Sequence, residues 1–86
     1  MKFYYFNPSS LKDQSRALEY CESLVIQKEG LEFVFNVEHG TPRVWVNRSR
    51  RHFLYPENRK STVRWVEVSE QEAIKFLIKY GISMPS

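Results

Sequence analysis

Residues 31–47 read LEFVFNVEHGTPRVWVN, a pattern that predicts a β-hairpin. In the first half, apolar residues recur at every second position, at Leu31, Phe33, Phe35 and Val37. Val44 and Val46 repeat this alternation in the second half. A period of two directs alternate side chains to opposite faces, as expected for strands with one face in a core. Because residues 39–42 read HGTP, which favours a turn, we expect a loop of four or five residues.

The residues before this hairpin predict a strand followed by a long helix. Lys2–Phe6 is rich in aromatic residues, which favour strands, and Pro8 is suited to end that strand. Apolar residues then recur at intervals of three and four, at Leu11, Ala17, Leu18, Cys21, Leu24 and Val25. This spacing makes one apolar stripe on a helix. We therefore predict a helix over residues 10–28, with Gly30 ending it.

The residues after the hairpin predict two further short strands and a second helix. Residues 52–55 and 62–68 have the composition of strands. Residues 69–72 read SEQE, a capping box whose side chains satisfy free backbone N–H groups at the start of a helix. An apolar stripe follows at Ala73, Ile74, Leu77, Ile78 and Tyr80. We predict a helix over residues 70–80, ended by Gly81.

Together these elements predict an α+β fold. Their order is β-α-β-β-β-β-α, and the strands would form an antiparallel sheet of about four or five members. Two amphipathic helices on one face of this sheet would make a two-layer sandwich. A chain of 86 residues has room for one hydrophobic core, so residues 1–86 are predicted to form a single compact domain.

Composition excludes several classes of protein. Apolar residues make up 42% of the chain, which is too many for a disordered protein. The sequence has no apolar run near the roughly 20 residues that cross a membrane, and its start lacks the apolar region of a secretory signal. Cys21 is the only cysteine, which excludes an intramolecular disulfide. We therefore expect a cytoplasmic protein without membrane contact.

Positive charge is concentrated in residues 43–64, which we call the basic-aromatic segment. This segment holds seven of the thirteen Lys and Arg residues and one acidic residue, Glu57. Trp45, Phe53 and Tyr55 lie between the charges. Clustered cations attract phosphates, and aromatic rings between them offer faces on which bases stack. The segment therefore indicates either recognition of a polyanion or solvated charges around hairpin loops, which discourage edge-to-edge pairing of strands.

We predict a non-enzymatic binding module whose leading ligand is nucleic acid or another polyanion. The predicted contact residues are Arg43, Trp45, Arg48, Arg50, Arg51, Arg59, Lys60 and Arg64. The cations would neutralise phosphates, which makes affinity depend on salt. With Val44 and Val46 facing the core, Arg43 and Trp45 would share the opposite face of their strand.

Two other functions stay open at this point. A small regulatory or interaction protein would use the open face of the sheet to bind a protein partner or a second copy of itself, and an acidic protein would bind the basic-aromatic segment. A metal-independent ribonuclease would use His52 as a general base beside Arg50 and Arg51. The partner acid of that ribonuclease would be Glu38 or Glu67.

No metal site and no cofactor are predicted. A metal site would need His39 and His52 to converge with carboxylates, and their spacing gives no reason for them to meet. Cys21 lies on the predicted stripe of the first helix and is expected to fill the core. Its neighbours Glu19 and Glu22 would raise the pKa of its thiol.

The first predicted strand carries aromatic residues on both faces. Phe3 and Tyr5 share one face, and Tyr4 and Phe6 share the other. If the helices cover only one face, the second pair needs another surface to bury it. A homodimer through the sheet face would supply that surface, and so would residues 47–61 of the same chain.

Overall fold

The computed structural model describes residues 1–10, 21–48 and 65–84. These residues form a five-stranded antiparallel sheet and one α-helix, with a 3₁₀ turn at Pro8–Ser10 after the first strand. The strands are β1 Lys2–Phe6, β2 Glu22–Lys28, β3 Leu31–Glu38, β4 Thr41–Asn47 and β5 Val66–Val68, and the helix is α1 Glu70–Lys79. The strand order is β4-β3-β2-β1-β5, so β4 and β5 are the outer strands among those described.

The hairpin predicted at residues 31–47 is confirmed as β3 and β4, but its loop is shorter than expected. Glu38 pairs with Thr41, which leaves only His39 and Gly40 in the turn. Both turn residues have a positive φ, 51° and 78°, as in the type I′ turns that match the twist of a hairpin. Thr41, predicted as part of the loop, is therefore the first residue of β4.

The predicted helix over residues 10–28 is wrong in its last part, because residues 22–28 form β2. Residues 24–26, Leu-Val-Ile, are all fully buried. Since β2 lies between β1 and β3 with both faces covered, consecutive apolar residues suit a strand there. The same run also fits helical spacing, so the sequence pattern predicted a helix where the structure has a strand. Residues 11–20, the rest of that predicted helix, lie outside the described residues.

Gly30 lies in the turn of a second hairpin and does not end a helix. Lys28 pairs with Leu31, so Glu29 and Gly30 alone connect β2 to β3. Their φ values are 52° and 77°, again those of a type I′ turn. Three consecutive strands are thus joined by two-residue turns, which places β2, β3 and β4 side by side.

The main hydrophobic core lies between α1 and one face of the sheet. Its buried members are Phe3, Leu24, Ile26, Phe35, Val37, Ala73, Phe76 and Leu77. The predicted burial of Ala73 and Leu77 is confirmed, but Ile74 and Ile78 are 37% and 73% exposed. The predicted stripe was wrong at those two positions. The side of α1 that carries Phe76 faces the sheet, although the predicted stripe did not include Phe76.

Both ends of α1 are capped, and the structure shows the Ser69 half of the predicted capping box. At the start, the Ser69 hydroxyl accepts a 3.2 Å hydrogen bond from the backbone N–H of Glu72. At the end, Gly81 has a φ of 66°, and the N–H of Ile82 donates to the Leu77 carbonyl at 2.9 Å. This bond belongs to the Schellman motif that ends many helices. The predicted second helix is therefore confirmed.

We expect Ser69→Ala to lower the free energy of unfolding by about 1 kcal/mol, because the Glu72 N–H loses its acceptor. Urea denaturation followed by circular dichroism measures the change. Ser83→Ala is the matched control, since Ser83 is an exposed serine beyond the helix. Equal stability of the Ser69 and Ser83 variants would contradict a stabilising role for the cap.

The predicted α+β class is confirmed at the level of a five-stranded antiparallel sheet with a C-terminal helix. The finer expectation of two helices in the order β-α-β-β-β-β-α is not confirmed. The predicted strand at residues 52–55 lies outside the described residues, and only residues 66–68 of the strand predicted at 62–68 are described as β-structure. In the described part of the chain, no helix combines the length and apolar character needed to cross a membrane.

Candidate functional site

β4 carries the described part of the basic-aromatic segment. Arg43 and Trp45 lie opposite Asn36 and Val34 of β3, two residues apart and therefore on one face of the sheet. The shared face predicted for these two residues is confirmed. Both are exposed, with 39% of the Trp45 surface accessible, and Arg48 is exposed just beyond the end of the strand. A cation and an aromatic ring thus lie side by side on β4, an outer strand among those described.

The other predicted contact residues lie outside the described residues. They are Arg50, Arg51, Arg59, Lys60 and Arg64. Whether they converge with Arg43 stays a prediction. His52, the base of the ribonuclease alternative, is also outside the described residues. Its two candidate acids lie on β3 and β5, which β2 and β1 separate, so the two do not belong to one cluster.

Arg43 forms an ion pair with Glu38 across the β3–β4 turn. Its guanidinium Nη2 lies 3.7 Å from Glu38 Oε2, and the two side chains are 72% and 47% exposed. Exposed pairs of this kind contribute only about 0–1 kcal/mol. A phosphate can therefore compete for the guanidinium at low cost.

The opposite face of β4 is apolar and exposed. Val44 and Val46 lie opposite Phe35 and Phe33, so they face the helix side of the sheet as predicted. However, they are 53% and 36% exposed, because the described helix packs over β1, β2 and β3 and not over β4. With Trp45 on the other face, β4 exposes apolar side chains on both sides. The alternation in the sequence indicated the faces correctly but gave no sign of this exposure.

Phe6, one member of the second aromatic pair of β1, is covered within the chain, and Tyr4 is half-buried. Phe6 is only 2% exposed, and its ring lies 5.8 Å from that of Trp65. Trp65 and Tyr4 also pack against Val25 and Val34 on this face of the sheet. The expectation that this pair needs a homodimer to bury it is therefore weakened for Phe6, since Trp65 already lies against it.

A carboxylate joins α1 to the sheet at a position that sequence reasoning did not single out. Glu22, at the start of β2, accepts a 2.7 Å hydrogen bond from the Tyr5 hydroxyl and another from the Tyr80 hydroxyl. Lys79 Nζ lies 3.9 Å from Glu22 Oε2, and the Glu22 side chain is 21% exposed. We call Tyr5, Glu22, Lys79 and Tyr80 the Glu22 cluster.

The Glu22 cluster shifts the titration of both tyrosines. Burial first, and then the hydrogen bond to Glu22, raises the pKa of Tyr5 well above its usual range. The hydrogen bond to Glu22 is the main cause that raises the pKa of Tyr80. In both cases ionisation would place a phenolate against the Glu22 carboxylate. The cluster therefore holds its hydroxyls neutral, which suits a structural link better than proton transfer near neutral pH.

A cleft of about 230 Å³ opens beside this cluster. Leu24, Val68 and Phe76 form its apolar part, and its rim is charged, with Glu72, Lys75 and Lys79. Each rim charge has a partner: Lys75 Nζ lies 3.5 Å from Glu72, and Lys79 lies near Glu22. Because Lys75 and Lys79 are balanced by Glu72 and Glu22, the cleft has no excess of one charge to orient an ionic ligand.

A second carboxylate with side-chain partners lies on the other face of the sheet. Glu32 is fully buried in β3. Its Oε1 accepts a 3.0 Å hydrogen bond from Asn47 Nδ2, and its Oε2 accepts a 3.3 Å hydrogen bond from Gln27 Nε2. The three side chains connect β2, β3 and β4, so Glu32 helps to hold β4 in register. Sequence alternation alone gave no reason to expect a buried acid here.

The remaining candidate residues do not form a reactive site in the described part of the chain. His39 is an exposed turn residue. Among residues 1–10, 21–48 and 65–84, no group of three His, Cys, Asp or Glu side chains is placed to hold a metal ion. Cys21 was predicted on a helix stripe and instead lies half-buried just before β2. Burial and then Glu38 raise the pKa of its thiol, so it is not activated.

Comparison with models of known protein families, with curated proteins and with solved structures finds no match to this chain.

Proposed function

We propose that this protein is a small cytoplasmic binding module for nucleic acid or another polyanion, acting through the basic-aromatic segment. The observation that supports this proposal is the placement of Arg43 and Trp45 on one exposed face of β4. Adjacent side chains on one strand face are about 7 Å apart. This spacing lets the guanidinium contact a phosphate while the indole stacks on a neighbouring base.

Charge adds a second argument for a polyanion. The basic-aromatic segment carries seven cationic side chains and one acidic one, whereas the rest of the chain has more acidic than basic residues. A phosphate backbone would therefore be drawn to this segment. Arg48, exposed just beyond β4, is the second cation of the segment among the described residues.

The test is titration of fluorescent single-stranded DNA and RNA, and of duplex DNA, over a series of salt concentrations. The chain is expected to bind with an affinity that falls steeply as salt rises, because neutralised phosphates release counterions. Arg43→Ala should weaken binding and reduce the slope of log affinity against log salt by about 1. Trp45→Ala should weaken single-strand binding by about 1–3 kcal/mol.

Lys75→Ala is the matched control for Arg43→Ala. Lys75 is as exposed as Arg43, at 75% against 72%, and it also belongs to a surface ion pair, with Glu72. Both substitutions remove one positive charge and one weak pair, but Lys75 lies on α1. If native protein binds none of these nucleic acids even at low salt, or if both variants lose equal affinity, the proposal is wrong.

A second candidate function is recognition of a protein partner, and one observation favours it. Val44 and Val46 are exposed on the helix side of β4, and these apolar side chains do not attract a polyanion. Exposed apolar side chains on both faces of an outer strand are typical of surfaces that pair with another chain. Solution mass in the absence of nucleic acid, compared with oligonucleotide affinity, separates this candidate from the first.

A further inference from the structure

Among residues 1–10, 21–48 and 65–84, β4 pairs only with β3, so the direction of its outward backbone groups is known. Since Glu38 and Thr41 close a two-residue turn, they form a hydrogen-bonded pair, and such pairs recur at every second residue. Residues 41, 43, 45 and 47 therefore bond to β3. The backbone groups of the alternate residues point away from β3, at Pro42, Val44 and Val46. Proline is suited to such a position because it has no N–H that would need a partner on β3.

Resting on the second candidate function, we propose that β4 pairs antiparallel with β4 of a second copy of this chain, with Trp45 on the twofold axis. In this register, Val44 faces Val46 of the second copy, and Val46 faces its Val44. Their outward N–H and C=O groups then form four hydrogen bonds. The product is one continuous sheet in which each β3–β4 hairpin extends the other.

The side chains of β4 are self-complementary in this register. The triplet Val44-Trp45-Val46 is symmetric about its centre, which is what an interface with twofold symmetry requires. The valines meet valines on the helix side, and Trp45 meets Trp45 of the second copy on the other face, where aromatic pairs stabilise sheets. Burial of these exposed side chains is the driving force.

Charge and proline placement agree with the same register. Arg43 lies opposite Asn47 of the second copy, so no two arginines face each other directly. Pro42 lies opposite residue 48, at the end of the shared ladder, where a missing N–H costs least. A register centred on Val44 would instead place Pro42 opposite Val46 and lose two of the central hydrogen bonds.

Sedimentation velocity without nucleic acid, over a wide range of protein concentration, tests the proposal. We expect the native chain to shift to twice its monomer mass as concentration rises. Val44→Lys should abolish the shift. Val66→Lys is the matched control, because Val66 is 57% exposed against 53% for Val44 and lies on β5, the other outer described strand. Val66→Lys should dimerise as the native chain does.

A cross-linking experiment tests the register and does not depend on a lysine substitution. In a Cys21→Ser background, Trp45→Cys should form a disulfide dimer under mild oxidation, since facing residues of this kind have Cβ atoms about 4.5–5.5 Å apart. Arg43→Cys should form no disulfide dimer, because residue 43 faces residue 47 of the second copy.

A native chain that stays monomeric at every concentration would overturn the proposal, and would indicate that Pro42 and Arg43 protect the edge of β4. Equal loss of dimer in the Val44 and Val66 variants, or cross-linking of the Arg43 variant in preference to the Trp45 variant, would also overturn it. Because nucleic acid is absent, these outcomes are independent of polyanion binding.

Discussion

Phe76→Ala is expected to lower the free energy of unfolding by about 3–5 kcal/mol. The Phe76 side chain is 5% exposed and belongs to the core between α1 and the sheet. Its ring lies 5.9 Å from that of Tyr5 and 5.0 Å from that of Tyr80, so truncation removes aromatic contacts and leaves a cavity. Chemical denaturation of the native and variant chains measures the loss.

Ile78→Ala is the control that makes this prediction specific to the orientation of α1. Ile78 is 73% exposed, so its truncation should change stability by no more than about 0.5 kcal/mol. Helical spacing alone assigned Ile78 to the buried stripe and omitted Phe76. If Ile78→Ala proved as costly as Phe76→Ala, α1 would be rotated from the position described here or Ile78 would be buried by a partner.

Glu22→Ala is expected to have the second-largest effect, about 1.5–3 kcal/mol. This range is that of a hydrogen bond to a charged group. The variant removes the acceptor of the Tyr5 and Tyr80 hydroxyls, but the tyrosines are only partly buried and water can replace part of the loss. Glu38→Ala is the control: Glu38 is 47% exposed in its pair with Arg43, and about 0–1 kcal/mol is expected.

The same cluster predicts how stability depends on pH. The pKa of Tyr5 and of Tyr80 is raised in the folded protein, so folding favours their neutral hydroxyls. This contribution is fully present below the unfolded pKa of about 10 and is lost as pH rises toward the folded pKa values. We expect native stability to fall above about pH 10, and Tyr5→Phe to reduce the slope. An unchanged slope in urea denaturation across that range would contradict the role of Tyr5.

The candidate site was partly predictable from sequence. Strand alternation placed Arg43 and Trp45 on one face, because side-chain direction along a strand is a local property. The exposure of Val44 was not predictable, since it depends on how far α1 reaches across the sheet. The Glu22 cluster was also hidden, because Tyr5 is 17 residues and Tyr80 is 58 residues from the carboxylate that they share.

For the fold, local signals predicted what neighbouring residues control. The alternation of β3 and β4, the Ser69 cap and the glycine at the end of α1 are all confirmed, because capping and strand faces arise within a few residues. Residues 22–28 were misassigned because their apolar run suits either a helix or a strand. Pairing with β1 and β3 makes this segment the strand β2. Packing of α1 against the sheet buries Phe76 and leaves Ile78 exposed. Both outcomes depend on contacts between distant parts of the chain, which periodicity along a single segment does not encode.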